Sequence, residues 1–264
     1  MIGLIYRAPE YSPRDNVAKD AAILDEVGLA LEESKQAVCY VREEDWQLSV
    51  LAQCTTCISM ARRFRSLLSL QRLQQHGVMV FNAPNAVQVT VQSRSTTLEM
   101  LQAEGLPVAD FWSYEPSEDA SFLCDESLQN LLPGWVKAMH PQGVRDGDVQ
   151  MVNSALEADS RVLQLAADGY TDIVVTRHIE GPLLKLYVVG GKIVNDSTEY
   201  ESYGPLVEII AHTLHLDIFG VDLIVSPWGA RIIDVNDFPS FSACRTEAAR
   251  AIADLAIARE LEGK

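Results

Sequence analysis

The sequence predicts a mixed α/β (α+β) chain, and three observations predict it. Short apolar runs of strand length alternate with amphipathic helical stretches over about residues 1–88, as in a parallel sheet with helical crossovers. Beyond that region, strand-length runs are joined by tight turns, at Gly190-Gly191 and at Ser226-Pro227-Trp228-Gly229, as in antiparallel hairpins. The totals agree: 264 residues, 48% hydrophobic and 22% charged, are ordinary for a globular chain of one to two domains.

In chain order, Ile2–Tyr6 is a first apolar strand. The spacing of Val17, Ala21, Leu24 and Leu31 predicts a helix over Asp15–Ser34. Ala37–Val41 and Cys57–Met60 read as further strands. Leu67–His76 is a helix closed by Gly77, and Val78–Phe81 is a fourth strand before Asn82-Ala83-Pro84. Arg62, Arg63 and Arg65 have two readings, a solvated helix start or a reach toward a substrate carboxylate or phosphate.

Thr96–Glu104 is a short helix stopped by Gly105. Residues 115–133 are acidic, then amphipathic, and read as a surface loop and helix without chemistry. In the strand Gly134–Ala138 the apolar run is broken by Lys137, which must point to solvent, a partner or a ligand. Gly143 and Gly147 open a flexible loop before the strand Val149–Val152; glycines let backbone N–H groups approach anionic oxygens. Ser154 and Glu157 form a capping-box start for a helix over Asn153–Asp168. Asp172–Ile179 is an apolar strand turning polar at Thr176-Arg177-His178. Pro182–Ile193 is a hairpin with Lys185 and Tyr187 on one face. Helices over Gly204–Leu216 and Ala248–Glu262 complete the pattern.

The densest chemistry lies in Leu214–Phe241. Phe219–Val225 is apolar except for Asp222, and Ala230–Val235 except for Arg231 and Asp234. Alternation projects Asp234 and Asn236 from one face of their strand, and pairing of the two strands can bring Asp222 beside them. Two carboxylates and an amide oxygen gathered in an apolar sheet repel unless a cation neutralises them. Hard oxygen donors of this kind suit Mg²⁺ or Mn²⁺, which bridge to phosphates. Taken singly, each aspartate has a second reading as a turn cap.

The formal net charge of −16 argues against nucleic acid or an anionic membrane as the partner. The first residues do not resemble a signal peptide, and no apolar run nears the roughly 20 residues of a membrane helix. A cytoplasmic chain is expected. The five cysteines read as thiols in a reducing compartment, with Cys54-x-x-Cys57 a lone pair that lacks the second pair of a zinc site.

Gly220-Val-Asp222-Leu-Ile224 followed by Ile232-Ile-Asp234-Val-Asn236-Asp-Phe-Pro239 resembles the metal-binding end of the ATP-grasp superfamily, and the order of features from Met60 onward resembles its glutamate-ligase, glutathione-synthetase and RimK-like members. The D-x-N-x-F-P form also resembles the inositol-phosphate kinase branch. The resemblance implies an N-terminal pre-ATP-grasp domain (1–88), a central subdomain with the glycine loop (89–172) and a C-terminal subdomain with the metal site (173–264), the last two clamping ATP between them. It implies ATP and Mg²⁺ (or Mn²⁺) as cofactors. Nucleotide contacts fall to Arg94, standing where the family usually has a lysine, to Lys137, to Gly143 and Gly147, and to the hinge Thr176, Arg177, His178 and Ile179. Asp222, Asp234 and Asn236 hold the metal. Lys185 and Arg245 are the catalytic candidates, at the phosphates and at an anionic acceptor. The implied activity is a ligase that joins a carboxylate to an amine through an acyl-phosphate, acting on a small-molecule or peptide substrate bearing a carboxylate or phosphate. A kinase acting on a hydroxyl is the alternative, because the arginine that often ends the returning strand of the hairpin is replaced by Ile193-Val194-Asn195.

Overall fold

The computed structural model describes residues 1–46, 48–115, 121–140, 142–195 and 200–262. Residues 116–120 of the acidic stretch, and the residues that follow Asn195 on the return from the hairpin, lie outside them. The chain forms two compact units. The first is Met1–Gln88 with Lys185–Val221 and Val235–Lys264, and the second is Val89–Leu184 with Asp222–Asp234.

The elements begin with β1 (Ile2–Tyr6), α1 (Val17–Glu33), β2 (Val38–Arg42), α2 (Leu48–Leu51), β3 (Thr56–Ser59), α3 (Phe64–Gln75), β4 (Met79–Phe81) and α4 (Pro84–Gln92). There follow α5 (Arg94–Ala103), β5 (Phe111–Ser113), α6 (Glu126–Gln129), β6 (Gly134–Ala138), β7 (Val149–Val152), α7 (Ala155–Ala167) and β8 (Ile173–Arg177). The last are β9 (Leu183–Val189), β10 (Lys192–Ile193), α8 (Gly204–Leu214), β11 (Ile218–Ser226), β12 (Gly229–Asp237) and α9 (Arg245–Glu262).

In the first unit a parallel sheet has the order β2-β1-β3-β4. Its strands are covered on both faces, as parallel sheets require. Alternation sends Ile2, Leu4 and Ile58 into one core with Leu24, Val27 and Leu31 of α1 and Ile252 of α9. It sends Ile5, Cys57 and Val80 into the other, with Leu70 and Leu73 of α3. Asn82, almost wholly buried, fixes the start of β11: its Nδ2 donates to the Ile218 carbonyl at 2.6 Å, and its Oδ1 accepts from the amides of Asp217 at 2.9 Å and Ile218 at 2.7 Å.

In the second unit an antiparallel sheet has the order β5-β8-β6-β7. One face packs Val136, Ala138, Val152, Ile173 and Val175 against Ala158, Val162 and Leu165 of α7. The other face carries Trp135, Lys137 and Thr176. A third sheet has the order β10-β9-β11-β12.

Boundaries differ from the sequence reading where end chemistry intervenes. Residues 14–16 wind as a 3₁₀ turn after Pro13, so α1 starts at Val17. α8 ends at Leu214 because His215 takes the left-handed conformation, φ 53°. The Gly190-Gly191 turn has φ of 57° and 76°, the positive pair that a two-residue hairpin turn needs. β5, α2 and α4 were not legible as elements: the first two are too short to show a period, and α4 continues straight on from Asn82-Ala83-Pro84, with proline at its first position. Among the described residues no helix is long and apolar enough to cross a membrane.

Candidate functional site

β6 supplies the floor of a cavity of about 520 Å³ whose lining residues all belong to the second unit. The alternation that buries Val136 and Ala138 turns Trp135 and Lys137 to this face. Val149, level with Lys137 on β7, and Thr176, level with Trp135 on β8, lie beside them. Lys137 is only 9% exposed, and its Nζ donates to the Ile233 carbonyl at 2.8 Å. Burial lowers its affinity for a proton; Asp234 and then Asp222 pull that affinity back up, and Arg94 pushes it further down. The ammonium thus lies in the field of both carboxylates.

Arg94 reaches the cavity because the start of α5 is fixed. Ser93 caps the helix, its Oγ accepting from the Thr96 amide at 3.1 Å. The Asp172 carboxylate accepts from the Arg94 amide at 2.6 Å and from the Ser95 hydroxyl at 2.6 Å. Arg94 Nη1 donates to Asp234 Oδ1 at 2.7 Å. Its Nε is buried without a hydrogen-bond partner among the described residues. A guanidinium with a donor still to satisfy, beside a lysine, offers N–H groups suited to phosphate oxygens. Asp222 and Ile224, alternate residues on β11, also line the cavity, as do Ile233 and Asp234 of β12.

The hinge segment Thr176–Gly181 forms another wall. Thr176 is held in the ladder between β5 and β6. The Arg177 amide donates to the Asp110 carbonyl at 2.8 Å and the His178 amide to Pro133 at 2.9 Å. Past that point, the amides of Ile179 and Glu180 have no backbone partner among the described residues. Trp135 Nε1 donates to His178 Nδ1 at 3.1 Å, so the neutral imidazole carries its proton on Nε2.

Eight residues singled out from sequence therefore line one cavity: Arg94, Lys137, Thr176, Arg177, His178, Ile179, Asp222 and Asp234. Glu180, Gly181 and Trp135 join them without having been singled out for this role. Glu180 lies three residues past the end of β8, where nothing local marks a carboxylate as lining a cavity.

Gly143 and Gly147 belong to the same unit but do not line the cavity. Both have positive φ, 121° and 90°, and their loop is tied back. Arg161 Nη2 donates to the Gly147 carbonyl at 2.5 Å, and Tyr170 Oη donates to Asp148 Oδ1 at 2.6 Å. Lys185, Asn236 and Arg245 fall in the first unit. There Asn195 explains its own presence: its Oδ1 accepts from the Tyr187 amide at 2.8 Å and its Nδ2 donates to the Lys185 carbonyl at 2.8 Å. It completes the edge of β9 where the resemblance leads one to expect arginine. Arg245 Nη1 lies 3.9 Å from Glu26 Oε1.

Of the N-terminal arginines, Arg63 pairs with Glu10 at 2.5 Å. Arg62 is buried against Asp237, whose carboxylate also lies 4.0 Å from Arg7 Nη2. Burial lowers the Arg7 pKa to about 10, Arg62 adding to the fall and Asp237 opposing it. The Asp237 pairing had no local signal, since its partners are far away in sequence.

The chemistry of the donor set bears on a metal. Among the described residues no group of three or more His, Cys, Asp and Glu side chains that could hold a metal ion occurs. Asp222 and Asp234 are two hard oxygen donors on one cavity wall. Such a pair fits a divalent cation that keeps open positions for phosphate oxygens, as Mg²⁺ does, better than an all-protein cage.

No family model matches the chain, and no curated protein matches it. Solved structures do. A D-alanine–D-alanine ligase from Bacillus anthracis, described as complexed with ATP, has a TM-score of 0.74 at 14% identity, covering 100% of this chain and 98% of its own. A RimK domain ATP-grasp protein from Sphaerobacter thermophilus has a TM-score of 0.71 at 17% identity, covering 97% and 100%. A D-cycloserine synthetase, DcsG, has a TM-score of 0.73 at 16% identity, covering 96% and 98%. At these identities the likeness is one of fold.

Proposed function

We propose that this chain, which has the ATP-grasp fold, is an ATP- and Mg²⁺-dependent ligase that joins a carboxylate to an amine. The observation that carries the reading is the company kept in one cavity: a buried lysine, an arginine with an unsatisfied Nε, two carboxylates and a hinge segment. Each is a positioning or electrostatic device that phosphoryl transfer needs. The hinge from Thr176 through Arg177 and His178 to Ile179 and Glu180 takes the adenine edge and the ribose. Lys137 and Arg94 hold phosphate oxygens, with Gly143 and Gly147 in the loop that closes over them and Lys185 as a further cation. Asp222, Asp234 and Asn236 would hold Mg²⁺ or Mn²⁺, which supplies charge neutralisation of the β- and γ-phosphates. Arg245 faces the anionic group of the acceptor. The division into 1–88, 89–172 and 173–264 is the functional division that goes with this reading.

In the reaction the substrate carboxylate attacks the γ-phosphorus, ADP leaves, and an acyl-phosphate forms. The amine then attacks the acyl carbon, phosphate leaves, and the amine's proton passes to solvent. The substrate is a small molecule or peptide carrying a carboxylate. One specific feature favours a second reading, a kinase acting on a hydroxyl: the Asp234-Val-Asn236-Asp-Phe-Pro239 segment, together with Asn195 at the place of the ligase arginine. One assay separates them. The protein is incubated with labelled Mg-ATP and amino acids, then with polyols and inositol phosphates. Free phosphate released only when a carboxylate and an amine are both present supports the ligase. Label transferred to a hydroxyl supports the kinase, and no ATP consumption with either set removes both.

A further inference from the structure

Three of the five cysteines meet over one glycine, in the first unit and apart from the cavity above. In the register of the parallel sheet, Cys39 of β2, Gly3 of β1 and Cys57 of β3 stand level with one another. Cys54, in the turn between α2 and β3, lies over Gly3. A Cβ at Gly3 would come within 3.1 Å of Cys54 Sγ and 3.4 Å of Cys57 Sγ, so the missing side chain is the space that the sulfurs share. Cys54 Sγ lies 3.5 Å from Cys39 Sγ and 3.7 Å from the Val50 carbonyl, and it is hydrogen-bonded to Cys57 as well. Cys57 is fully buried and Cys54 nearly so, while Cys39 is half-buried on the edge strand of the sheet and opens the cluster to solvent.

Cys54 is the sulfur within hydrogen-bonding reach of both other thiols, so the two can solvate a thiolate there once its own proton, which faces the Val50 carbonyl, is lost. The hydrogen bond from Cys57, opposed by burial and reinforced by Cys39, holds the Cys54 thiol below its ordinary value. Cys57 is pushed up by its bond to Cys54 and by burial, and Cys39 by burial and its bond to Cys54. The nucleophile of the cluster is therefore Cys54, with a second thiol already in van der Waals contact.

We infer that Cys54 and Cys39 form an oxidation site for hydroperoxides, closing as a disulfide across the edge of the N-terminal sheet. The Cys54 thiolate attacks the outer peroxide oxygen. The O–O bond breaks, alkoxide or hydroxide leaves and takes a proton from solvent, and Cys54 becomes a sulfenic acid. The Cys39 sulfur then attacks the Cys54 sulfur, the S–S bond forms, the S–O bond breaks, and water leaves with the Cys39 proton. The two thiols lose two electrons and two protons, and the hydroperoxide gains them. The sulfurs close from 3.5 Å to about 2.05 Å, a movement of about 1.5 Å that an edge strand can make. Cys39 and Cys57 cannot pair with each other. A strand lies between them, placing their Cα atoms about 9–10 Å apart, beyond the roughly 7 Å limit of a disulfide.

The test uses the reduced full chain, one equivalent of hydrogen peroxide at pH 7, a thiol-blocking quench and peptide mass mapping, with circular dichroism to confirm that each variant folds. Exposure alone would make Cys124, the exposed cysteine, react first. The inference expects a Cys39–Cys54 linked peptide while Cys124 is still reduced. Cys39→Ser should stop at a Cys54 sulfenic acid that a 1,3-dione traps, and Cys54→Ala should leave Cys39 and Cys57 reduced. Gly3→Ala, which crowds the sulfur nest, should slow the link at least tenfold. Oxidation of Cys124 ahead of the cluster, a link from Cys54 to Cys57, or no reaction at the three cysteines would each overturn it.

Discussion

Replacing Lys137 with methionine separates a phosphate-binding role from a structural one. Lys137 is 9% exposed; methionine keeps the length and apolar stem of the side chain but removes the ammonium, which bonds to the Ile233 carbonyl at 2.8 Å. The loss has two opposed parts for the nucleotide-free protein. Losing that bond costs about 1–3 kcal/mol. Removing a buried ammonium relieves a desolvation penalty of several kcal/mol, offset in part because Asp234 and Asp222 lose a favourable neighbour. The net change should stay within about 2 kcal/mol, a shift in Tm of less than about 8 °C for a chain of this size. Binding is one-sided. A charge-assisted bond to phosphate contributes about 1.5–3 kcal/mol, so ATP and ADP should bind about 10- to 150-fold more weakly. Adenosine, which has no phosphate, should bind as before. Calorimetric titration with all three ligands, beside a thermal melt, measures each part. Equal weakening of adenosine and ATP would show that the cavity has collapsed. An unchanged ATP affinity with a large fall in Tm would show that Lys137 only braces β12, and the nucleotide reading would go with it.

Asp172→Ala removes the carboxylate that holds the first turn of α5. It should lower stability by about 1–2 kcal/mol in urea, as the loss of a cap does, and weaken ATP binding through the displaced Arg94. Asn82→Ala leaves the amides of Asp217 and Ile218 unpaired, at about 1–3 kcal/mol each when wholly unrelieved, while the Ile218 carbonyl keeps the Phe238 amide at 3.1 Å. A loss of about 3–5 kcal/mol is expected by denaturant titration. Asp217 has its pKa raised by burial, with Arg259 opposing. Its folded pKa lies above the unfolded value near 3.9, so ionisation costs folding free energy at neutral pH, and that cost disappears as pH falls below about 4. Asp217→Asn should therefore raise Tm at pH 7 and leave it unchanged at pH 3.5; a fall in Tm at pH 7 would show that the Arg259 pairing at 3.8 Å dominates instead.

What was legible in the sequence follows from the range of each interaction. β6 announced itself because period-two alternation is local. Once Val136 and Ala138 were assigned to the core, Lys137 had to face the other way, and the same reasoning placed Asp222 and Asp234 on strands. The two units were less legible, because each is assembled from segments that the chain revisits, and no local period reports a return. The Arg94–Asp234 pair spans 140 residues and the Arg62–Asp237 pair 175. Each residue alone reads as an ordinary charge on a helix start or a strand end. Asp237 is the instructive case. Alternation along β12 puts it on the face opposite Asn236, so the sequence does say that the third polar residue of Asp234-Val-Asn236-Asp237 does not share a face with the other two. It cannot say that two buried arginines wait there. A carboxylate so held is neutralised by protein rather than by a cation, as Asp234 is in part by Arg94.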